Sequence, residues 1–201
     1  MITSFSQSHC PSGQGPRLAA SGFQVLYADP PWRLSGSGKG SPPYPMMVTK
    51  DISALPVERP AAPDCALLLW AVHSHLPDAL AVIRAWGFSY KTVAFTWVKR
   101  TPRDTGFFLG RGYWTHANAE VCLLATRGKP RRAGTGVSSL VVSPRREHSQ
   151  KPDEVRERIV RICGYSGTCL GRSCPPARGC PAGAPGATRS SATSAYNLFS
   201  L

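Results

Sequence analysis

The run "VLYADPPWRL", Val25 to Leu34, sets a carboxylate, two prolines and an indole in succession at the end of an apolar stretch. Pro30 and Pro31 would stop a strand in any case, because proline has no N–H to give a sheet ladder. The acid placed on that rigid backbone is what goes beyond punctuation. The Asp29 carboxylate and the Pro30 carbonyl, stiffened by Pro31, together accept both hydrogens of one amino group. An exocyclic amine such as that of adenine needs this. Its lone pair is delocalised into the ring and becomes nucleophilic only as the nitrogen moves towards tetrahedral geometry. Trp32, or Tyr44 in the following loop, can stack on or wall in such a base. No covalent intermediate is required, and rate comes from positioning and fixed dipoles. The bland reading of the same four residues is a strand end, a turn and a core tryptophan.

These groups need a scaffold that delivers them to one place. "FQVLYA" (23–28) reads as a buried strand ending at Asp29, and "CALLLWAV" (65–72) as a second. "YKTVAFTWVK" (90–99), "EVCLLATR" (120–127) and "SSLVVSP" (138–144) read as three more. "LPDALAVIRAWGF" (76–88) is a helix, with Leu76, Leu80, Ile83 and Trp86 at helical spacing before Gly87. "KPDEVRERIVRI" (151–162) is another, with Pro152, Asp153 and Glu154 where the helix dipole favours acids. Near-continuous apolar strands alternating with helices predict an α/β fold, a mainly parallel sheet covered on both faces. Ligands bind such sheets at the strands' carboxyl ends, where Asp29 falls. Residues 33–50 form a long Gly/Pro/Ser loop, and a Gly/Arg-rich loop follows Lys99; loops of that length are functional or mobile. Trp70, Trp86 and Trp97 lie within apolar runs and are expected in the core.

At 201 residues with 42% hydrophobic content, the chain is expected to form one domain with a real core. No apolar run reaches membrane-spanning length, and residues 1–22 lack the features of a secretory signal, so a cytoplasmic protein is expected. The formal net charge of +13 favours a polyanionic partner, nucleic acid first. Cys65 and Cys122 lie in apolar runs and are expected to be buried thiols. Cys163, Cys169, Cys174 and Cys180 cluster without a C-x-x-C pair or a following histidine, so no metal is expected.

Beyond the Asp-Pro-Pro-Trp motif the chain carries "PPYPMM", "LLLWAVHSHLPDALAVIRAWGFSYKTVAFTWVK", "GRGYWTHANAEVCLLATRGKP" and "SPRREHSQKPDEV". In these blocks, their order and their spacing, it resembles a family of adenine-specific N(6)-methyltransferases. That family includes the catalytic subunit of the messenger-RNA adenosine methyltransferase and short bacterial and phage DNA methyltransferases. The likeness runs from about Val25 to Ile162. It implies a circularly permuted Rossmann-like fold, S-adenosylmethionine as cofactor and methyl transfer to the adenine amine. Asp29, Pro30, Pro31 and Trp32 match the catalytic motif. Tyr44, Lys99, Tyr113, Trp114 and Glu120 are implied to contact substrate, and Asp29 and Lys151 to contact the cofactor. Trp70, Trp86 and Trp97 keep their core reading, and Glu120 also reads as a simple pairing residue. Arg111, Arg145, Arg146 and His148 are candidates for nucleic-acid contact, or else a solvated basic face. A short, bare catalytic domain is like the prokaryotic members, which points to DNA before RNA in a bacterial or phage-infected cell. A protein amide is disfavoured as acceptor, since enzymes of that kind usually carry Tyr or Phe in place of Trp32. The other reading is a catalytically impaired relative that still binds nucleic acid.

The family pattern breaks after the second helix. A strand reading roughly Glu-Leu-Phe-Ala-Arg and a later Trp-Gly-Asn-Glu-like run, implied to hold the cofactor, are absent from residues 164–201. That segment is rich in Gly, Pro, Ala, Ser, Arg and Cys, without a period. Back-translated with free third bases and read one base earlier, "SCPPARGCPAGAPGATRS" permits Glu-Leu-Ser-Ala-Arg-Ala-Arg-Val-Pro-Gly-Trp-Gly-Ala-Trp-Gly-Asn-Glu-Val. A frameshift between about Cys163 and Arg172 is therefore expected. The chain divides into a loose lead-in (1–22), a methyltransferase domain (23–163) and an aberrant, irregular tail (164–201).

Overall fold

The apolar run ahead of Asp29 is a strand, β1 (Phe23–Ala28), in a computed structural model that describes residues 22–33, 45–146, 150–164 and 195–198. Its last four residues are buried, and it lies parallel to β2 (Ala61–Ala71), with Val25 opposite Ala66 and Ala28 opposite Leu69. The register slips between Phe23 and Val25, and there β2 bulges and turns Pro63 and Asp64 to solvent. A bulge is where a strand tolerates proline. β3 (Ser89–Arg100), β4 (Ala119–Arg127) and β5 (Leu140–Pro144) extend the sheet on one side of β2. On the free edge of β1 lies β6 (Ala195–Leu198), giving the order β5-β3-β4-β2-β1-β6.

Every strand but β4 points the same way; β4 is antiparallel to both β2 and β3. The sheet is thus mainly parallel, as expected, but mixed through its one reversed strand. The connection explains it. Residues 101–118 contain no helix to carry the chain back across the sheet, so β4 returns beside β3 in the opposite sense.

Helices cover both faces. α1 (Thr49–Ser53) and α2 (Leu76–Ala85) pack over Leu26, Leu67, Leu69 and Leu123 through Ile52, Ala79, Val82 and Ile83. α2 stops at Gly87, whose φ of 76° suits glycine, and there Phe88 N–H bonds the Ile83 carbonyl at 3.0 Å. Trp86 Nε1 donates to the Ile52 carbonyl at 3.0 Å and ties the two helices together. α1 falls at the edge of the stretch expected to be loop, because a single turn carries no period to read. α3 (Asp153–Cys163) covers the other face with one stripe, Val155, Ile159 and Cys163, against Tyr27, Trp70, Phe95 and Trp97.

Two of these buried aromatics hold each other: Trp70 Nε1 donates to Tyr27 Oη at 2.7 Å. Burial keeps the Tyr27 phenol neutral by pushing its pKa far up. Tyr27→Phe leaves the indole N–H buried without its acceptor, so a loss of about 1–3 kcal/mol is expected in chemical denaturation. Unchanged stability would show that the bond contributes nothing.

Ala195–Leu198 is a strand within the tail expected to be irregular; residues 165–194 and 199–201 of that tail, and 1–21 of the lead-in, lie outside the described residues. Among the described residues no helix is long and apolar enough to cross a membrane, and no three His, Cys, Asp or Glu side chains converge on a metal position. Cys65, Cys122 and Cys163 are buried free thiols.

Candidate active site

Strand alternation decides which side chains meet. On β1, Val25 and Tyr27 belong to the core under α3, so Asp29, two residues on, is directed to that same side. On β3 Trp97 belongs there and Lys99 follows it; on β4 Cys122 belongs there and Glu120 precedes it. Because β4 runs against its neighbours, its first residues reach the sheet end where β1 and β3 finish. Lys151 arrives from the turn ahead of α3. Three strands and a helix entry bring four charged groups to one point.

Lys151 Nζ donates to Asp29 Oδ2 at 2.7 Å and lies 3.3 Å from Glu120 Oε2. The other oxygen of Glu120, Oε1, pairs with Lys99 Nζ. The four side chains are only 12–16% exposed. Two carboxylates and two ammonium groups balance, which is the condition for burying charge at tolerable cost. Indole rings lie beneath the cations: Lys99 Nζ is 5.1 Å from the Trp97 centroid and Lys151 Nζ 5.5 Å from that of Trp70.

The two acids differ. Burial pushes the Asp29 carboxyl above the usual range, even with Lys151 beside it. Burial pushes Glu120 up as well, but Lys151 and Lys99 together outweigh it and hold Glu120 below its ordinary value. Lys151 is raised, since its two carboxylate partners overcome the burial that would lower it.

The backbone after Asp29 is clamped. Trp32 N–H donates to the Pro30 carbonyl at 2.8 Å, Met47 N–H to the Pro31 carbonyl at 2.8 Å, and Arg33 N–H to the Met47 carbonyl at 3.0 Å. The Trp32 ring is buried, its Nε1 donating to the Trp70 carbonyl at 3.0 Å, with the His75 ring 6.0 Å away. The indole thus fixes the turn from below. The Pro30 carbonyl keeps a second lone pair for an outside donor.

The other expected residues fall in three places. Tyr113 and Trp114 are 98% and 91% exposed, edge to face, on a hairpin closed by mutual Gly110–Ala117 hydrogen bonds. They stand outside the buried charge cluster. Arg111 is exposed on the same hairpin. Arg145 lies over Phe108, 4.1 Å from its centroid, while Arg146 pairs with Asp153 at 2.8 Å and bonds the Lys151 carbonyl at 3.3 Å. Arg146 thereby ties the Lys151 turn to the start of α3. Tyr44 and His148 lie outside the described residues.

Trp70, Trp86 and Trp97 are buried as expected, and Trp70 and Trp97 also floor the site together with Tyr27, which the sequence reading passed over, as it did Ser143. Ser143 sits opposite Lys99 in the β3–β5 register, and its Oγ is buried with no hydrogen-bond partner among the described residues. The signal was the two-residue step from Tyr27 to Asp29 and from Trp97 to Lys99.

Residues 23–173 match the MT-A70 family. The chain is 29% identical over 170 residues to the type II methyltransferase M.MunI of Mycoplasma sp., across 73% of this chain and 70% of that protein. It is 32% identical over 143 residues to a putative N(6)-adenosine-methyltransferase MT-A70-like protein of Medicago truncatula. A second plant protein, the N(6)-adenosine-methyltransferase MT-A70-like of Arabidopsis thaliana, is 28% identical over 141 residues. Both plant matches cover 70% of this chain but only 22% and 20% of the plant proteins. The family match takes in β1 through α3, and with them Asp29, Lys99, Glu120 and Lys151. The chain belongs to the MT-A70 family of S-adenosylmethionine-dependent adenine N(6)-methyltransferases.

Proposed function

We propose that the chain is a DNA adenine N(6)-methyltransferase on a circularly permuted Rossmann-like sheet. The observation that carries this is the Asp29 carboxylate, held by Lys151 at the end of β1 beside the clamped Pro30 carbonyl. The residues present fit the cofactor's charged end. The Lys151 ammonium suits a carboxylate, Asp29 suits an amine, and the Ser143 hydroxyl is a buried polar group without a partner among the described residues. When bound, S-adenosylmethionine supplies a methyl group on a positively charged sulfur. Asp29 and the Pro30 carbonyl orient the adenine amine by accepting its two hydrogens. Gain of the methyl carbon by the amine would go with loss of that carbon's bond to sulfur, whose electron pair stays on the departing thioether, and the surplus N–H proton would pass to the Asp29 carboxylate. Burial has already made that carboxylate a better base than a surface aspartate.

The preference for DNA rests on the likeness to a bacterial type II methyltransferase, which runs over 170 residues against 143 and 141 for the plant N(6)-adenosine-methyltransferase MT-A70-like proteins. The chain's net charge of +13 suits a polyanion. A duplex target has to be flipped out of the stack. Initial rates on DNA and RNA oligonucleotides of one sequence test the preference; DNA is expected to be faster, and equal or faster transfer to RNA would overturn it.

The hairpin aromatics are proposed to stack on nucleic acid. Tyr113→Ala with Trp114→Ala is expected to change folding stability by no more than about 0.5 kcal/mol, because both rings are exposed. Anisotropy titrations should show affinity for an oligonucleotide falling about tenfold or more. Undiminished affinity would remove these rings from the interface.

A second reading, a catalytically impaired relative, is favoured by one observation. The family match ends at residue 173, within the Gly/Pro/Cys-rich tail, and does not extend over the rest of it. Calorimetric titration with S-adenosylmethionine separates the two readings. Binding by the chain as it stands favours the enzyme. Binding only after the tail is rewritten in the alternative frame favours the damaged relative.

A further inference from the structure

We propose that Lys99 is a positioning residue that acts through Glu120: by occupying Glu120 Oε1 it keeps Lys151 committed to Asp29. Its link to methyl transfer rests on the function proposed above. Lys151 stands between two carboxylates, 2.7 Å from Asp29 Oδ2 and 3.3 Å from Glu120 Oε2. The nearer partner is Asp29, whose carboxyl burial pushes above its usual range even with that ammonium beside it. A lone Glu120 would compete strongly for that ammonium. Lys99 removes the competition by supplying Glu120 with a cation of its own. Its Nζ is engaged there over the Trp97 ring; its own pull on Asp29 is weaker than those of Lys151 and Glu120, so most of its influence on Asp29 passes through the other carboxylate.

Among the described residues the charges that face this point are few. β1 contributes Asp29 and the neutral Tyr27, β4 contributes Glu120 and the buried Cys122 thiol, and β3 contributes Lys99. Arg156 of α3 is close enough to act on Tyr27, and the Arg146–Asp153 pair closes the start of α3. Trp70 of β2 and Ser143 of β5 are uncharged. Without Lys99 the four-member chain becomes two carboxylates sharing one ammonium, an uncompensated negative charge in a buried place. Two responses relieve it: Lys151 moves towards Glu120, or Asp29 takes up a proton. A protonated Asp29 has spent one acceptor oxygen on its own hydrogen and no longer serves as base.

The test compares Lys99→Met, Lys99→Arg and the double variant Lys99→Met with Glu120→Gln, all in the full chain. In the pH profile of transfer, the acid limb of Lys99→Met is expected to move up by about one pH unit or more. Lys99→Arg should keep the wild-type limb, and the double variant, again balanced in charge, should return towards it. A purely structural lysine would not be corrected by losing a second group. The melting temperature of the unliganded protein, followed against pH, gives a readout independent of turnover. Lys99→Met should lose stability more steeply than wild type as pH rises, and the double variant should not. An unshifted limb and slope in Lys99→Met, or a double variant as shifted as the single one, would overturn the proposal. If wild type transfers no methyl group at all, the functional reading fails alone, and the melting series decides the charge coupling by itself.

Discussion

Asp29→Asn is expected to lower the rate of methyl transfer by at least about 10²-fold while leaving the protein folded. Asparagine keeps the size and one acceptor oxygen but carries no negative charge to draw on the amine and takes no proton from it. The fold survives because Lys151 keeps Glu120 as a second carboxylate partner, so no buried ammonium is orphaned. Removing a dipole or charge aimed at the reacting atoms lowers turnover more than ground-state binding. The loss should therefore fall on kcat, with affinity for nucleic acid nearly unchanged. Steady-state kinetics beside a melting curve checks both halves. A variant that stays folded and keeps more than a tenth of wild-type turnover would remove Asp29 from the chemistry.

Lys151→Met should be the most damaging change to stability among the charged residues, costing about 3–5 kcal/mol near neutral pH. It leaves Asp29 and Glu120 at one buried point with Lys99 as their remaining ammonium partner. The loss must depend on pH, and its sign follows from direction. A carboxyl whose folded pKa lies above its unfolded value favours the folded state at low pH, and that contribution disappears as pH rises through the folded pKa. In wild type this holds for Asp29 and the opposite for Glu120, whose contribution is present above its unfolded value and is lost as pH falls through its lowered folded pKa. Without Lys151 both carboxyls move upward. The deficit of the variant should then shrink as pH falls from about 8 to about 5. Urea denaturation across that range decides; a deficit independent of pH would mean that lost packing over Trp70, and not lost charge, is responsible.

The elements were legible where a pattern long enough to read existed. β1 to β5, α2 and α3 appear within a few residues of the apolar runs and helical stripes that announce them. α1 is one turn and has no period, and β6 lies in a tail whose composition gives no strand signal ahead of it. The direction of β4 was not in its own residues at all. It depends on the missing helix in residues 101–118, and it brings Glu120 to the end of the sheet where Asp29 and Lys99 finish.

The site was legible as a set of residues and not as an arrangement. Asp29, Lys99, Glu120 and Lys151 were each singled out, but their pairing joins positions 122 residues apart and follows from register. Trp32 shows the same limit. Its type marks an aromatic beside the acid, while its role depends on which side of the turn carries the Trp70 carbonyl that its N–H reaches.

The central claim is that this site places a methyl group on the amine of adenine in DNA. The most direct measurement incubates the chain, and the chain with its tail rewritten in the alternative frame, with DNA and S-adenosylmethionine carrying an isotopically heavy methyl. Mass spectrometry of the released nucleosides then locates the label. Heavy N(6)-methyladenine from DNA, lost in Asp29→Asn, is the expected result. Label on cytosine, label that survives Asp29→Asn, or none in DNA from either form of the chain would contradict it.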